Sequence, residues 1–244
     1  MHLPDNVSRL CGRERFSFGC HPKVPCFTEC CRELELALTP YDVLRLRQEL
    51  QMTSALFIER FVVVEQDEDD VWPRLYLGMV DDGRASCPFI SESGCRVYSN
   101  RPGACRAYPV GRGGLLDANG NVREIHVLVR EEHCKGFAES QDHTAAEWFV
   151  NQGLIEYNAI NDEVLSLLQH EQVRAGLSLT QEQRAAFFVA LYKLDEFRTK
   201  VSSAAFQNKY LQDKEESGSV LADDLNLLRF GVRWLKEILF TEKV

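Results

Sequence analysis

Between positions 20 and 31 the chain reads CHPKVPCFTECC, which places Cys20, Cys26, Cys30 and Cys31 in one short stretch. Thiols this close together serve either disulfide pairing or metal ligation, and the redox compartment decides between them. The N-terminus, MHLPDNVSRLCGRERF, has no apolar run of the length a signal peptide requires, and no later stretch approaches the ~18 apolar residues of a membrane span. A soluble, cytoplasmic protein is therefore expected, where thiols stay reduced. The nine cysteines argue the same way: their number is odd, and a bridge between neighbours Cys30 and Cys31 would be strained. Metal ligation is the leading reading.

A second group of thiols supplies the rest of a ligand set. CPFISESGCRVYSNRPGACRAYP holds Cys87, Cys95 and Cys105, and EEHCKGF holds Cys134. Eight thiols can close two four-coordinate sites, or one site with spares. Zinc accepts four thiolates tetrahedrally, and iron-sulfur clusters are also held by four cysteines, both through soft sulfur. Only Cys26 and Cys30 have the short spacing common in structural zinc sites; the others come singly from separated positions. Scattered ligands suit a cluster, whose iron corners stand further apart than the vertices around one ion. An iron-sulfur cluster, the 4Fe-4S form among those open, is thus preferred over zinc. Neighbouring Cys30 and Cys31 point in different directions, so they could serve two metals, bridge a dinuclear centre, or leave one thiol outside the ligand set.

Four thiolates leave such a centre anionic, so nearby cations lower the cost of assembling it. Arg32, Arg96, Arg101 and Arg106 are the candidate cofactor-binding cations, while Pro88, Gly94, Pro102 and Pro109 set the turns between thiols. His21 and His133 adjoin cysteines and are read as neighbours of the centre rather than ligands. Cys11 is read as a free thiol, and Tyr98 and Tyr108 as packing residues.

These stretches together resemble the YkgJ-type cysteine-cluster family, described as zinc- or iron-chelating with a CxxCxxCC-like signature, over roughly residues 16 to 137. In the second stretch cysteine, tyrosine, Arg-Pro, Cys-Arg and aromatic-Pro recur in order. In the first, the gaps are five and three residues where the family has two or three. The resemblance implies that Cys20, Cys26, Cys30, Cys31, Cys87, Cys95, Cys105 and Cys134 are the ligand pool. A flagellin lysine methylase has a related cluster and carries an iron-sulfur centre, which makes a protein-modifying enzyme one alternative function. A structural zinc module for partner docking is another. Nothing in residues 141 to 244 marks a methyltransferase site. The chain also lacks a radical S-adenosylmethionine spacing, a phosphate loop, a G-x-S-x-G elbow and an H-E-x-x-H motif.

All cysteines lie between Cys11 and Cys134, so a cysteine-cluster part at 1–140 and a helical part at 141–244 are expected, in an α+β, predominantly helical fold. Thr39-Pro40-Tyr41-Asp42 is a helix start, with Val43, Leu46 and Leu50 on one face. Thr53 or Ser54 caps a second helix through Phe61. Val62 to Val80 reads as extended, Asp82-Gly83 as a turn and GRGGLLDANGN as a glycine-rich loop. Val122 to Val129 reads as a strand with Ile125, Val127 and Val129 on one face. Three helical stripes follow: Tyr157, Ile160, Val164, Leu167 and Leu168; Phe187, Ala190, Leu191, Leu194 and Phe197; and Leu228, Val232, Leu235 and Leu239. Thr180 to Gln183 has the form of a capping box, DKEESGS that of a polar connection, and Gly153 falls inside the first pattern. The formal charge of −9 disfavours a phosphate-binding surface. Function is expected to be that of a metal-binding protein with a redox, sensing or accessory role, its partner a protein rather than nucleic acid or membrane.

Overall fold

In the computed structural model, which describes residues 3–67, 70–117 and 119–240, the chain forms two units, and both are discontinuous. One comprises the chain up to Ala37 and Tyr76–Ala159; the other comprises Leu38–Leu75 and the chain from Ile160. A single break after residue 140 does not describe this division. The helices Pro40–Glu49 and Ser54–Phe61 bury Tyr41, Val43, Leu46 and Phe57, and their packing partners are the later helices Gln181–Tyr192 and Leu194–Val201. Cysteine usage marks the chemistry, whereas apolar faces decide which segments fold together. Eleven α-helices with short antiparallel strands, among the described residues, make the chain α+β and predominantly helical. No helix among them is long and apolar enough to cross a membrane.

The cysteine-bearing unit is built on a three-stranded antiparallel sheet in the order Val7–Leu10, Val122–Val129, Val110–Leu116. Val7 lies opposite Val129, and Val110 opposite Leu128. GRGG is therefore strand rather than loop. Its glycines permit a close cross-strand approach, because a Cβ on Gly111 would come within 2.7 Å of Val127 Cγ2. Asp117 then closes the hairpin, its carboxylate accepting from the amides of Asn119 and Asn121; Ala118 lies outside the described residues. The inward face of Val122–Val129 also differs from the expected one. Leu128 is buried and His126 packs on Phe149, while Ile125 is 40% exposed. Further along, Arg15–Ser17 pairs with Asp142–Thr144, and Ile90–Ser91 with Gly94–Cys95.

Helix Ala145–Asn151 completes this unit, capped by Thr144 and Glu147 in a capping box. Gly153 ends it rather than interrupting a longer helix: at φ +66° it forms a Schellman turn, with Leu154 N–H donating to Phe149 at 2.8 Å and Gly153 N–H to Val150 at 3.1 Å.

The second unit is helical. Pro40–Glu49 starts where expected, with Thr39 and Asp42 in reciprocal caps, and Thr53 caps Ser54–Phe61. The extended region expected at 62–80 resolves into strands Val62–Glu65 and Arg74–Leu77, residues 68 and 69 lying outside the described ones. Thr180 and Gln183 form the capping box of Gln181–Tyr192. The stripe from Phe187 to Phe197 spans two helices, because Lys193 leaves the helical region at ψ 59°; both helices still bury their share of it. Gly231 on the long helix Asp224–Phe240 lets that helix approach closely, since a Cβ there would meet the Ala190 carbonyl at 2.8 Å. DKEESGS is helical too: Asp213 caps Lys214–Ala222 through Glu216 N–H, and Ser217 and Val220 are its buried face.

Candidate metal centre

The first group of thiols is held together by backbone crossings. Gly19 N–H donates to the Gly136 carbonyl at 3.0 Å, which sets Cys20 beside the 134–136 turn. In that turn, Lys135 N–H donates to Cys26 Sγ at 3.0 Å. Position 136 admits only glycine, because a Cβ would meet the Phe18 ring at 2.6 Å and the Gly19 carbonyl at 2.7 Å. Below these crossings Phe18 meets the rings of Phe137, Trp148 and Tyr108 edge-on at 5.1, 5.5 and 5.7 Å between centroids. This aromatic floor is locked by Trp148, whose indole N–H donates to Ala107 O at 2.9 Å.

The second group hangs from Cys31. The turn of 3₁₀ helix Glu29–Cys31 follows Thr28 at φ 73°, and Cys87 N–H donates to the Cys31 carbonyl at 2.8 Å. Arg32 pairs with Ser86 in an antiparallel bridge. A hairpin then carries Cys95 back toward Cys87: Ile90 N–H donates to Cys87 O at 3.1 Å and Ile90 lies opposite Cys95. Gly94 makes its tight turn at φ +112°, with Phe27 packed against it. Cys105 projects from the short helix Gly103–Ala107.

The electrostatics follow these neighbourhoods. Burial, then the charges of Cys30, Cys26 and Cys134, push the Cys20 thiol up to about 11, with Arg101 opposing. Cys31 donates to Cys30 and lowers its pKa to about 7 against burial, while Cys31 as donor is held protonated, with burial and the charges of Cys30, Cys87 and Cys105 acting the same way. Cys87 and Cys95 are raised mainly by burial. Cys30 and Cys31 are therefore in contact here, rather than diverging.

The four candidate arginines separate into roles. Arg101 is only 9% exposed, stacks 3.8 Å over the Tyr98 ring, and acts on Cys20, Cys95 and Cys105; burial lowers its own pKa. Arg32 acts on Cys30 and Arg96 on Cys87 and Cys95. Arg106 is turned away from this work. Its guanidinium donates to the carbonyls of Arg101 at 3.0 Å, Gln152 at 2.8 Å and Ser99, and lies over the Tyr157 ring. It fixes the loop that carries Arg101.

All nine cysteines are free thiols, with Cys11 exposed. His21 is spoken for, with Nε2 3.2 Å from Glu139 and Nδ1 accepting from Lys23 N–H, and His133 is exposed. The thiols are gathered but not closed: among the described residues, no three thiol, imidazole or carboxylate groups surround one ion position. The donor set nonetheless fits a thiolate-bound group. The Tyr108 hydroxyl is buried beside Cys134 and finds no well-aligned partner among the described residues, so a thiolate at Cys134 would give it an acceptor. Sequence reasoning assigned Tyr108 to packing alone and had no signal for the Lys135 amide, since a main-chain donor leaves no trace in residue identity.

A family model, CxxCxxCC, described as "putative zinc- or iron-chelating domain", matches residues 19–144, more than half of the chain. The chain belongs to that family. No curated protein and no solved structure matches it.

Proposed function

We propose that this member of the CxxCxxCC family holds at least one cysteine-ligated iron-sulfur centre, and that it acts in the cytoplasm in a redox, sensing or accessory role toward a protein partner. The observation that carries this reading is the all-sulfur donor set, delivered from three separate segments, two of which bring thiols near the buried cation Arg101. Iron is favoured over zinc because the ligands come singly from loops instead of as two short pairs. When bound, such a centre supplies one-electron redox chemistry. The residues of this chain hold and tune it: Lys135 N–H donates to the Cys26 sulfur, the Tyr108 hydroxyl beside Cys134 would donate to a thiolate there, and the arginines offset the thiolate charge.

The test is iron, zinc and acid-labile sulfide analysis with an absorption spectrum, on full-length protein purified without oxygen or added metal. Iron with sulfide and a brown chromophore supports the reading, and zinc without sulfide replaces iron with a structural ion. In either case the Cys30→Ser/Cys31→Ser variant should lose the metal; unchanged content would overturn the assignment of these thiols as ligands.

A further inference from the structure

We propose that the outward face of the three-stranded sheet docks a protein partner that presents an apolar ridge flanked by carboxylates. This rests on the protein partner named in the reading above, adds the surface and the chemistry it recognises, and is independent of which metal is bound. Strand pairing defines the face. Val7 lies opposite Val129, Arg9 opposite Val127, Ile125 opposite Gly113 and Arg123 opposite Leu115, so these residues share one side of the sheet. On the other side Leu10, Val110 and Leu128 are buried, which turns the shared side outward.

An antiparallel sheet with one face on the core ordinarily shows polar residues to water. Here Val7, Leu115, Ile125, Val127 and Val129 point outward, and Leu115 stays 50% and Ile125 40% exposed. Gly113 adds a notch beside both, because a Cβ there would find nothing closer than the Ile125 carbonyl at 3.9 Å. The charge on this face is all positive. Arg9 and Arg123 are exposed and, among the described residues, neither has an acidic partner, whereas Arg15, Arg32, Arg84 and Arg112 of the same unit are ion-paired. Arg123 stands four strand positions from Val127, the residue opposite Arg9, which sets the two cations about 13 Å apart along the strands. No carboxylate lies among the strand residues of this side.

In a chain of formal charge −9, an apolar surface bearing two unpaired cations is complementary to an apolar ridge that carries carboxylates. A second copy seated across a two-fold axis would bring the same arginines to the same face, like charge against like. A lipid surface is held by clusters of about four to eight basic residues, and this face has two.

The experiment places the photocross-linker p-benzoylphenylalanine at Leu115, at Ile125 and, off the face, at the 63% exposed Val150, in the full chain within its native cells, and maps the cross-linked residues by mass spectrometry. Leu115 and Ile125 should each cross-link one protein at a segment of apolar residues flanked by Asp or Glu. Arg9→Glu/Arg123→Glu should cut that yield about 10-fold while metal content and thermal melt match wild type; Arg9→Gln/Arg123→Gln decides in its place if charge reversal disturbs folding. A synthetic peptide of the mapped segment should bind the purified wild type and show the same loss. Cross-links from Val150 alone, a mapped segment without carboxylates, or a yield unmoved by either arginine variant overturns this surface while leaving a protein partner in place. Cross-links to this chain itself or to lipid overturn the proposal by naming another occupant. Absence of cross-links from the face also overturns it, and if formaldehyde treatment of the same cells then joins no other protein to the chain, the partner reading falls with it.

Discussion

The amide of Lys135 donates to the sulfur of Cys26 at 3.0 Å, joining positions 109 residues apart in the chain. A main-chain donor aimed at sulfur stabilises a thiolate more than a thiol, since hydrogen bonds to charged acceptors are the stronger ones. The contact depends on how closely the 134–136 turn approaches Gly19.

Gly136→Ala tests that approach. The added methyl group meets both a ring and a carbonyl, so the variant should lose about 1–3 kcal/mol of stability and much of its metal. Gly113→Ala is the control, because its Cβ would find only ordinary contacts near Ile125. Denaturant melts and metal analysis of the two variants check both expectations.

Tyr108→Phe separates tuning from folding. The hydroxyl has no well-aligned partner among the described residues, so its removal should leave stability within about 1 kcal/mol of wild type. Loss of a donor to the Cys134 thiolate should weaken metal retention by about 10-fold, measured as faster release to a chelator.

Arg101 and Arg106 should fail differently. Arg101→Gln should lower metal retention, because its charge acts on Cys20, Cys95 and Cys105, and should also cost some stability, because its guanidinium donates to Tyr98 O and to Gln152 Oε1, each at 2.7 Å. Arg106→Met should cost about 3 kcal/mol, since three carbonyls lose their donor, two of them on the Arg101 loop. Circular dichroism melts alongside metal content distinguish the two patterns.

The helical unit should lose stability in acid through Asp224. Burial alone would raise this carboxyl, but the Arg198 hydrogen bond and the Arg47 charge prevail and hold it below the usual carboxylate range. Its contribution is therefore complete above the unfolded value of about 3.9 and is lost as pH falls through the lower folded value. Asp224→Asn should remove that slope and cost about 2 kcal/mol at neutral pH, read from urea melts at pH 3 and pH 7.

Local rules were legible in the sequence wherever one residue's chemistry decides the outcome. Thr39 with Asp42, Thr53, and Thr180 with Gln183 cap their helices as written, because a hydroxyl or carboxyl satisfies amides only a few positions away. The thiols proposed as the ligand pool stand out for the same reason, each being a cysteine and most lying beside others in sequence. What sequence patterns missed depends on contacts across the fold. The apolar stripe from Phe187 to Phe197 keeps its phase through the break at Lys193, so periodicity cannot reveal two helices. Gly111 reads as loop until Val127 is found above it, and Arg106 reads as a candidate cation for the centre, with nothing in the sequence to mark the three carbonyls it donates to. Which thiol neighbours which was hidden entirely, since Cys20 and Cys134 meet through a crossing of main chains.

Ala37 and Tyr76 face each other in an antiparallel bridge, and Leu77 N–H donates to Leu36 O at 2.9 Å. The chain thus leaves the cysteine-bearing unit and re-enters it at one doorway. Everything between belongs to the other unit. The length of the Cys31–Cys87 interval is consequently uncoupled from thiol geometry: related chains can lengthen, shorten or replace that excursion while Cys31 and Cys87 stay paired. A signature that fixes this interval would overlook such relatives, whereas one that treats it as a variable insertion would find them.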